Sequence, residues 1–166
     1  RGPMIGTGVR QLLHDVDWGE LDYLLVDLPP GTSDATMSLA QEAPVAGAVI
    51  VSTPQQVALE DAGKAIAMFE KLNVSVFGIV ENMSYFISPD TEHRLEIFGH
   101  GGARIAAEEQ GLDFLGEIPL AIELREAGDK GEPFVEFNSD SPVSQSFEDI
   151  AGKIAAKLSI LTLIEI

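Results

Sequence analysis

The chain has 166 residues, of which 45% are hydrophobic, so it is long enough for one compact domain with a sizeable core. Its formal net charge of -17, with only ten lysine and arginine residues, makes a nucleic-acid backbone an unfavourable partner. No uninterrupted apolar run reaches the roughly 18 residues of a spanning helix, and no basic, then apolar leader opens the chain. We therefore expect a cytoplasmic protein with neither nucleic acid nor membrane as a partner.

The first half of the chain predicts a helix, two strands and a second helix. Apolar residues from Val9 to Val16 recur at helical spacing, and the continuous apolar run at residues 23–26 predicts a first strand, buried on both faces, that ends at Asp27. A second run at residues 46–51 predicts a strand. The loop at 52–56 follows it, and then an amphipathic pattern that predicts a long helix.

The second half continues the alternation of strands and helices. Residues 74–80 predict a strand that ends at Glu81-Asn82-Met83, with Asn82 just past its end. Residues 114–118 predict another strand, which ends at Pro119-Leu120. Helical patterns occupy residues 102–110 and the stretch that ends at Leu158. We expect residues 1–158 to be part of a single domain and residues 159–166 to be a tail.

Strands and helices that alternate in this way predict an α/β protein with a three-layer α/β/α architecture and a mostly parallel, Rossmann-like sheet. In such sheets ligands gather beyond the carboxyl ends of the strands. The residues predicted at that edge are Asp27, Thr53, Asn82 and Pro119.

The segment at residues 24–34 carries the main chemical signal. An apolar strand that ends in an acid and a rigid Pro-Pro-Gly-Thr turn is how nucleotide-hydrolysing folds present a carboxylate to magnesium, which indicates phosphoryl transfer. The chain contains no Gly-x-x-x-x-Gly-Lys-Ser/Thr loop to hold the phosphates. The sequence therefore predicts one half of a nucleotide site.

Five motifs in order resemble the Mrp/ApbC family of iron-sulfur cluster carrier ATPases. They are DYLLVDLPPGTSD at 22–34, STPQ at 52–55, ENMSYF at 81–86, IFGHGG at 97–102 and GEIPL at 116–120. The resemblance runs from Arg1 to about Ile154. It implies a P-loop NTPase fold related to MinD, ParA and the nitrogenase iron proteins. It also implies a homodimer that binds ATP with magnesium and passes clusters to recipient apoproteins.

Two departures from the family pattern limit what the resemblance implies. Family members carry a glycine-rich lysine loop upstream, and this sequence begins after that loop, so the N-terminal strand and the P-loop are absent. We expect these residues alone not to bind ATP tightly, and whether the chain is itself an ATP hydrolase stays open. Many relatives have Cys-x-x-Cys where this chain has Ser88 and Thr91, and neither hydroxyl replaces a thiolate for iron. With no cysteine in the chain, we assign no iron-sulfur ligand.

The resemblance gives roles to residues in the first motif. Asp27 is predicted to hold magnesium through its water, the alternative being an aspartate that begins a turn before proline. Pro30, Gly31 and Thr32 resemble a switch segment that senses the γ-phosphate, with a backbone N–H from Gly31 and the hydroxyl of Thr32, although a plain rigid loop is the alternative. Asp34 would either position the attacking water or cap the following helix, and the cap is favoured.

Later residues are candidates for the base of the nucleotide. Asn82 could bond the edge of adenine or be an ordinary turn asparagine. Pro119 and Leu120 could form a wall against the base, although a proline in the first turn of a helix explains them equally well. His93 and His100, without a nearby acidic partner in the sequence, are interpreted as surface or structural residues rather than metal ligands.

Three functions remain open at this stage. The favoured one is an ATP-dependent iron-sulfur cluster carrier. A partitioning or positioning ATPase of the MinD/ParA kind would share the magnesium aspartate, but it has no obvious use for the motifs at 81–86 and 98–102. The third is a scaffold that dimerises or docks a partner without catalysis. The missing cysteines and the missing P-loop favour this alternative.

Overall fold

The computed structural model describes residues 2–29 and 33–164. Seven helices lie in these ranges. They are α1 Gly2–His14, α2 Asp34–Glu42, α3 Gln56–Lys71, α4 Gly102–Gln110, α5 Ile122–Lys130, α6 Phe134–Phe137 and α7 Pro142–Ile164. Four strands join them in the same ranges: β1 Ala48–Ser52, β2 Val76–Ile87, β3 Arg94–Leu95 and β4 Phe114–Leu120.

The strands form one sheet around β2. Both β1 and β4 pair with β2 in parallel, one on each side, and the two-residue β3 pairs antiparallel with the far end of β2. The carboxyl ends of the three parallel strands therefore share one edge of the sheet.

Adjacent residues of β2 point to opposite faces of the sheet and divide the core in two. Ile79 is fully buried in a cluster with Ile66 of α3 and Ala103 of α4. Val80 packs in a second cluster that includes Leu115 of β4 and Ile150 of α7. Helices α3 and α4 thus cover one face and α7 covers the other, which confirms the predicted three-layer α/β/α class.

The prediction of a first strand at residues 23–26 is wrong. The segment has no regular structure, and the side chains of Tyr23 and Leu25 are 57% and 91% exposed. A strand needs a neighbour for its N–H and C=O groups, and β1, the nearest candidate in sequence, is paired only with β2 among the described residues. The N-terminal helix is confirmed as α1, which packs against α2.

Strand β2 is longer than its apolar run predicts, because it continues through Glu81 and Asn82 to Ile87. The expectation that Asn82 follows the strand is therefore wrong. The pairing with β1 nevertheless ends here, since Ser52 is the last β1 residue paired with β2, opposite Glu81. The pairing with β4 is interrupted after Asn82 and resumes with Phe86 opposite Leu120. Met83, at φ 51°, bends the strand at this point.

Helix α7 continues through Ile164, beyond the position 158 at which the apolar stripe was predicted to end. It is fastened to β4 by the Lys153 Nζ, which donates to the carbonyl oxygen of Leu115 at 2.5 Å. Lys157 Nζ also pairs with the Asp113 carboxylate at 2.5 Å. Within the described ranges, no helix combines the length and the apolar character that a bilayer crossing requires.

Candidate functional site

Three of the four predicted edge residues come together at the carboxyl ends of the parallel strands. Glu81 is paired with Ser52 of β1, and Asn82 is paired with Ile118 of β4. Thr53, Asn82 and Pro119 therefore lie at the same level of the sheet, next to one another. Asp27 is the exception, since it lies in the irregular segment before α2 rather than at the end of a strand. The sheet therefore gathers the base candidates but does not itself position the magnesium candidate.

The two candidate acids of the first motif are open to solvent, although Leu28 of the same motif packs against the core cluster of Ile79. The side chains of Asp27 and Asp34 are exposed, and Pro30, Gly31 and Thr32 lie outside the described residues. A hydrated carboxylate such as that of Asp27 is a ligand type suited to magnesium, which keeps several of its waters in protein sites. The donor chemistry of Asp27 therefore fits the ion.

The expectation that Asp34 caps α2 is wrong, because the cap is Ser33. The Ser33 Oγ accepts a hydrogen bond from the Thr36 N–H at 3.3 Å. Asp34 is the first residue of the helix, where a carboxylate interacts favourably with the helix dipole but takes no capping bond. Serine and aspartate are both favoured at the N-cap position, so the sequence alone does not decide between Ser33 and Asp34.

Asn82 is half-buried, and its Oδ1 accepts a hydrogen bond from the Met83 N–H at 2.9 Å. Among the described residues none accepts a hydrogen bond from its Nδ2. The amide is therefore held at one end by the backbone and keeps a donor at the other.

Pro119 and Leu120 are the last two residues of β4, and α5 begins only at Ile122. The explanation of Pro119 as the first turn of a helix is therefore wrong. Leu120 lines an open, almost wholly apolar depression. The other residues of its lining are Phe86, Ile97, Ala121, Ile122 and Arg125.

Glu81 is a site residue that the sequence reasoning missed. It is 0% exposed, and both of its carboxylate oxygens accept hydrogen bonds. Oε1 accepts from the Ser84 Oγ at 2.6 Å, and Oε2 accepts from the backbone N–H of Ala103 at 2.7 Å. An acid directly after an apolar run was the available signal, but it was taken only as the end of the strand.

The glycine-rich motif at 98–102 contacts the loop at 52–55. Gly101 precedes α4 in the left-handed conformation, at φ 64°, which glycine adopts without strain. The absence of a side chain on Gly102 allows a close approach to the carbonyl of Pro54. The motifs at 52–55, 81–86 and 98–102 are therefore joined, through Gly102 to Pro54 and through Glu81 to Ala103.

Ser88 and Thr91 lie in the turn between β2 and β3. The Ser88 N–H donates to the His93 carbonyl at 3.0 Å and the Glu92 N–H donates to the Ser88 carbonyl at 2.8 Å, which closes the hairpin. Its side chains offer oxygen rather than sulfur to a metal. With no cysteine in the sequence, the residues present do not fit an iron-sulfur cluster.

Arg94 anchors this hairpin to the rest of the sheet. Its guanidinium lies 3.9 Å from the centre of the Tyr85 ring and 3.2 Å from the Glu117 carboxylate on β4. Beyond the hairpin, the His100 Nδ1 is 2.7 Å from Glu96, so the expectation of a histidine without an acidic partner is wrong for His100. No group of three metal-binding side chains occurs in the part of the chain that the structure describes.

Comparisons with known proteins agree with this architecture. The chain is 51% identical over all of its 166 residues to an iron-sulfur cluster carrier protein of Deinococcus radiodurans, and the match covers 47% of that protein. It superposes with a TM-score of 0.69 on a nucleotide-binding protein of Archaeoglobus fulgidus solved in complex with ADP, at 46% identity, covering 77% of this chain and 53% of that one.

A third comparison concerns the fold alone. The cell division ATPase MinD of Pyrococcus furiosus matches with a TM-score of 0.65 at 20% identity, covering 94% of this chain and 59% of that one. The chain spans about half the length of the curated relatives it matches.

A family model described as ParA, NUBPL iron-transfer P-loop NTPase, matches residues 1–155. Together with the identity to the carrier protein of Deinococcus radiodurans, this match confirms the resemblance that the motifs indicated. The chain belongs to the ParA family of NUBPL iron-transfer P-loop NTPases, the group of the Mrp/ApbC proteins.

Proposed function

We propose that the protein is an ATP-dependent iron-sulfur cluster carrier that works as a homodimer and delivers clusters to recipient apoproteins. The observation that carries the proposal is the family match over residues 1–155. The name of the Deinococcus radiodurans relative supports the same function, since it is an iron-sulfur cluster carrier protein. A cytoplasmic location stays a prediction.

On this proposal the chain supplies the magnesium side of a nucleotide site. Asp27 holds the ion through a water molecule, and Pro30, Gly31 and Thr32 contact the γ-phosphate. Asp34 positions the attacking water. When bound, magnesium neutralises the charge that develops on the phosphate oxygens during phosphoryl transfer.

The base of the nucleotide is proposed to bind where the strands end. Asn82 donates its free amide hydrogens to the adenine edge, and Pro119 and Leu120 pack against the ring. The apolar depression beside Leu120 supports this assignment, because a purine ring is a flat, largely apolar surface. The phosphate-binding loop is absent from this sequence, so we expect residues 1–166 by themselves to bind ATP weakly.

The cluster is the cargo of the proposed reaction, and this chain does not ligate it. Ser88 and Thr91 occupy the positions of the family cysteines, and these 166 residues contain no cysteine that could supply a thiolate. The thiolates must therefore come from residues outside this sequence or from a partner protein.

Asp27 provides the first test of the proposal, in the full natural chain that contains these residues. We expect Asp27→Asn to reduce magnesium-dependent ATP hydrolysis by at least about tenfold, because the neutral amide is a much poorer ligand for the ion. Asp22→Asn is the matched control, since Asp22 is an exposed aspartate of the same irregular segment. Equal hydrolysis by both variants and the wild type would contradict the role of Asp27.

Three further measurements separate the carrier from the alternatives. Transfer of a cluster from the reconstituted protein to an apo-ferredoxin, followed by its visible absorption, is expected of a carrier. Sedimentation with lipid vesicles that depends on ATP, without any cluster transfer, would indicate a positioning ATPase instead. A full chain that neither binds ATP in calorimetry nor transfers clusters would be a scaffold.

A further inference from the structure

Glu81 is the most deeply buried ionisable side chain at the strand ends, and the proposed function assigns it no role. Removing a carboxylate from water is costly unless hydrogen bonds replace the lost hydration. Here two donors do so, the Ser84 hydroxyl at 2.6 Å and the Ala103 N–H at 2.7 Å. Ser84 belongs to β2 and Ala103 to α4, so the Glu81 side chain connects the strand to the helix.

The first link fixes the bend in β2. The bond between Glu81 and Ser84 spans Asn82 and Met83, and Met83 has a positive φ of 51°. That conformation is uncommon for a residue with a side chain and must be held by its surroundings. Since the Met83 N–H is also the donor to the Asn82 Oδ1, the same bend sets the orientation of the Asn82 amide.

The second link fixes the start of α4. Gly101 is at the N-cap position and makes no side-chain capping bond, so the first turn of α4 has unpaired N–H groups. Glu81 accepts one of these bonds from a neighbouring strand. The Glu81 side chain therefore lies at the start of α4, directly after the glycine-rich motif, and accepts a hydrogen bond there.

The geometry points to Glu81 as a positioning residue for nucleotide base selection, which holds the Asn82 amide in its orientation and links it to the start of α4. This role rests on the proposed contact between Asn82 and adenine. It gives a use to the motifs at 81–86 and 98–102, which lie together around one buried carboxylate. Loss of the Glu81 bonds should release both the bend and the helix start.

The test compares binding of ATP and GTP, with magnesium, to the full natural chain by calorimetry. Four variants are compared with the wild type: Glu81→Ala, Glu81→Gln, Ser84→Ala and Asn82→Ala. Glu109→Ala is the control, because Glu109 is an exposed acid on the same helix α4. Hydrogen exchange at the Ala103 amide and the melting temperature are measured in parallel.

We expect Glu81→Ala to lose about tenfold in ATP affinity, roughly the contribution of one hydrogen bond between Asn82 and adenine, and to leave GTP affinity unchanged. The same variant should exchange faster at Ala103. Glu81→Gln keeps an acceptor for Ala103 and a polar partner for Ser84, so it should retain the wild-type preference for ATP. Ser84→Ala should lose part of that preference.

A purely structural role would lower the melting temperature and speed exchange without changing the ratio of ATP to GTP affinity, and that result would overturn the inference. If Glu81→Ala does not fold, Ser84→Ala decides, and an unchanged ratio in that variant would also overturn it. Two other results would overturn the proposed nucleotide site itself, and the role of Glu81 with it. One is a wild type that binds ATP and GTP equally well, and the other is an Asn82→Ala variant with the ATP affinity of the wild type.

Discussion

Gly102 of α4 approaches Pro54 so closely that a Cβ atom at position 102 would lie 2.5 Å from the Pro54 carbonyl oxygen. The same atom would lie 2.8 Å from the Leu59 side chain on α3. The backbone oxygen cannot move aside as the end of a flexible side chain could. The contact between the loop at 52–55 and the start of α4 therefore requires glycine at this position.

We expect Gly102→Ala to destabilise the fold by about 1 to 3 kcal/mol, the usual cost of forcing an extra methyl group into a packed contact. Urea unfolding gives the change in free energy. Gly128→Ala is the matched control, because Gly128 lies in helix α5 with no atom within 4 Å of its added Cβ, and it should be neutral or slightly stabilising. Equal stability of the two variants would contradict the packing argument.

The hairpin between β2 and β3 offers a second prediction. Ser88→Cys combined with Thr91→Cys should allow reconstitution with iron and sulfide to give a visible absorption band, because two thiolates are then placed in one turn of each chain and the proposed homodimer supplies four. Residues 1–166 by themselves, without the substitutions, should give no such band, because they contain no thiolate. Ser146→Cys with Ser159→Cys is the control, since these positions lie about 20 Å apart along α7 and cannot share a cluster. A band of equal strength in the control would show nonspecific binding.

Arg94 should govern the order of the hairpin more than the stability of the domain. Arg94→Ala removes the stacking on Tyr85 and the ion pair with Glu117, so hydrogen exchange across residues 86–97 should become faster. The free energy of unfolding should change by about 1 kcal/mol or less, as for other exposed ion pairs. Lys64→Ala, which breaks an exposed pair with Asp61 on α3, should leave exchange in the hairpin unchanged.

Asp113 gives a prediction about acid stability. The hydrogen bond from Lys157, and then its charge, hold the pKa of the Asp113 carboxyl below its ordinary value. Because the folded pKa is lower than the unfolded value of about 3.9, the contribution of this pair to stability is present above about pH 4. It is lost as the pH falls through the folded pKa.

The measurement is the difference in unfolding free energy between the wild type and Asp113→Asn across a pH series. This difference should be constant near neutral pH and should shrink below about pH 4. Asp140→Asn serves as the control, since Asp140 is exposed and forms no ion pair with the described residues. A difference that grows toward acid would contradict the assigned sign.

The elements with both a strong apolar pattern and a partner in the chain were predictable. The strands β1 and β4 follow their apolar runs, and α4 has the predicted bounds. The apolar residues of each of these elements pack against another described element. The structure that the local sequence favours is therefore also the one that core packing favours. The apolar run at residues 23–26 has an equally strong pattern, but no strand among the described residues pairs with it.

The site was harder to predict than the fold. Asn82 was found through the motif at 81–86, whereas its place inside β2 depends on the bend at Met83, which no apolar pattern records. Glu81 was missed because its partner Ala103 is distant in sequence. A hydrogen bond between remote elements produces no repeating pattern of apolar and polar residues in the sequence. The role of such a residue depends on its burial in the folded protein, which its local sequence does not determine.

The bond from Lys153 to the Leu115 carbonyl has a consequence for the behaviour of the protein at high concentration. Strand β4 has a single partner strand in the described chain, and an unpaired ladder invites another molecule to add a strand. The Lys153 and Lys157 side chains of α7 both contact β4 or the residue just before it, and lysine side chains beside an edge strand disfavour the addition of another strand. We therefore expect the lysines of α7 to limit the addition of further strands along this side of the sheet.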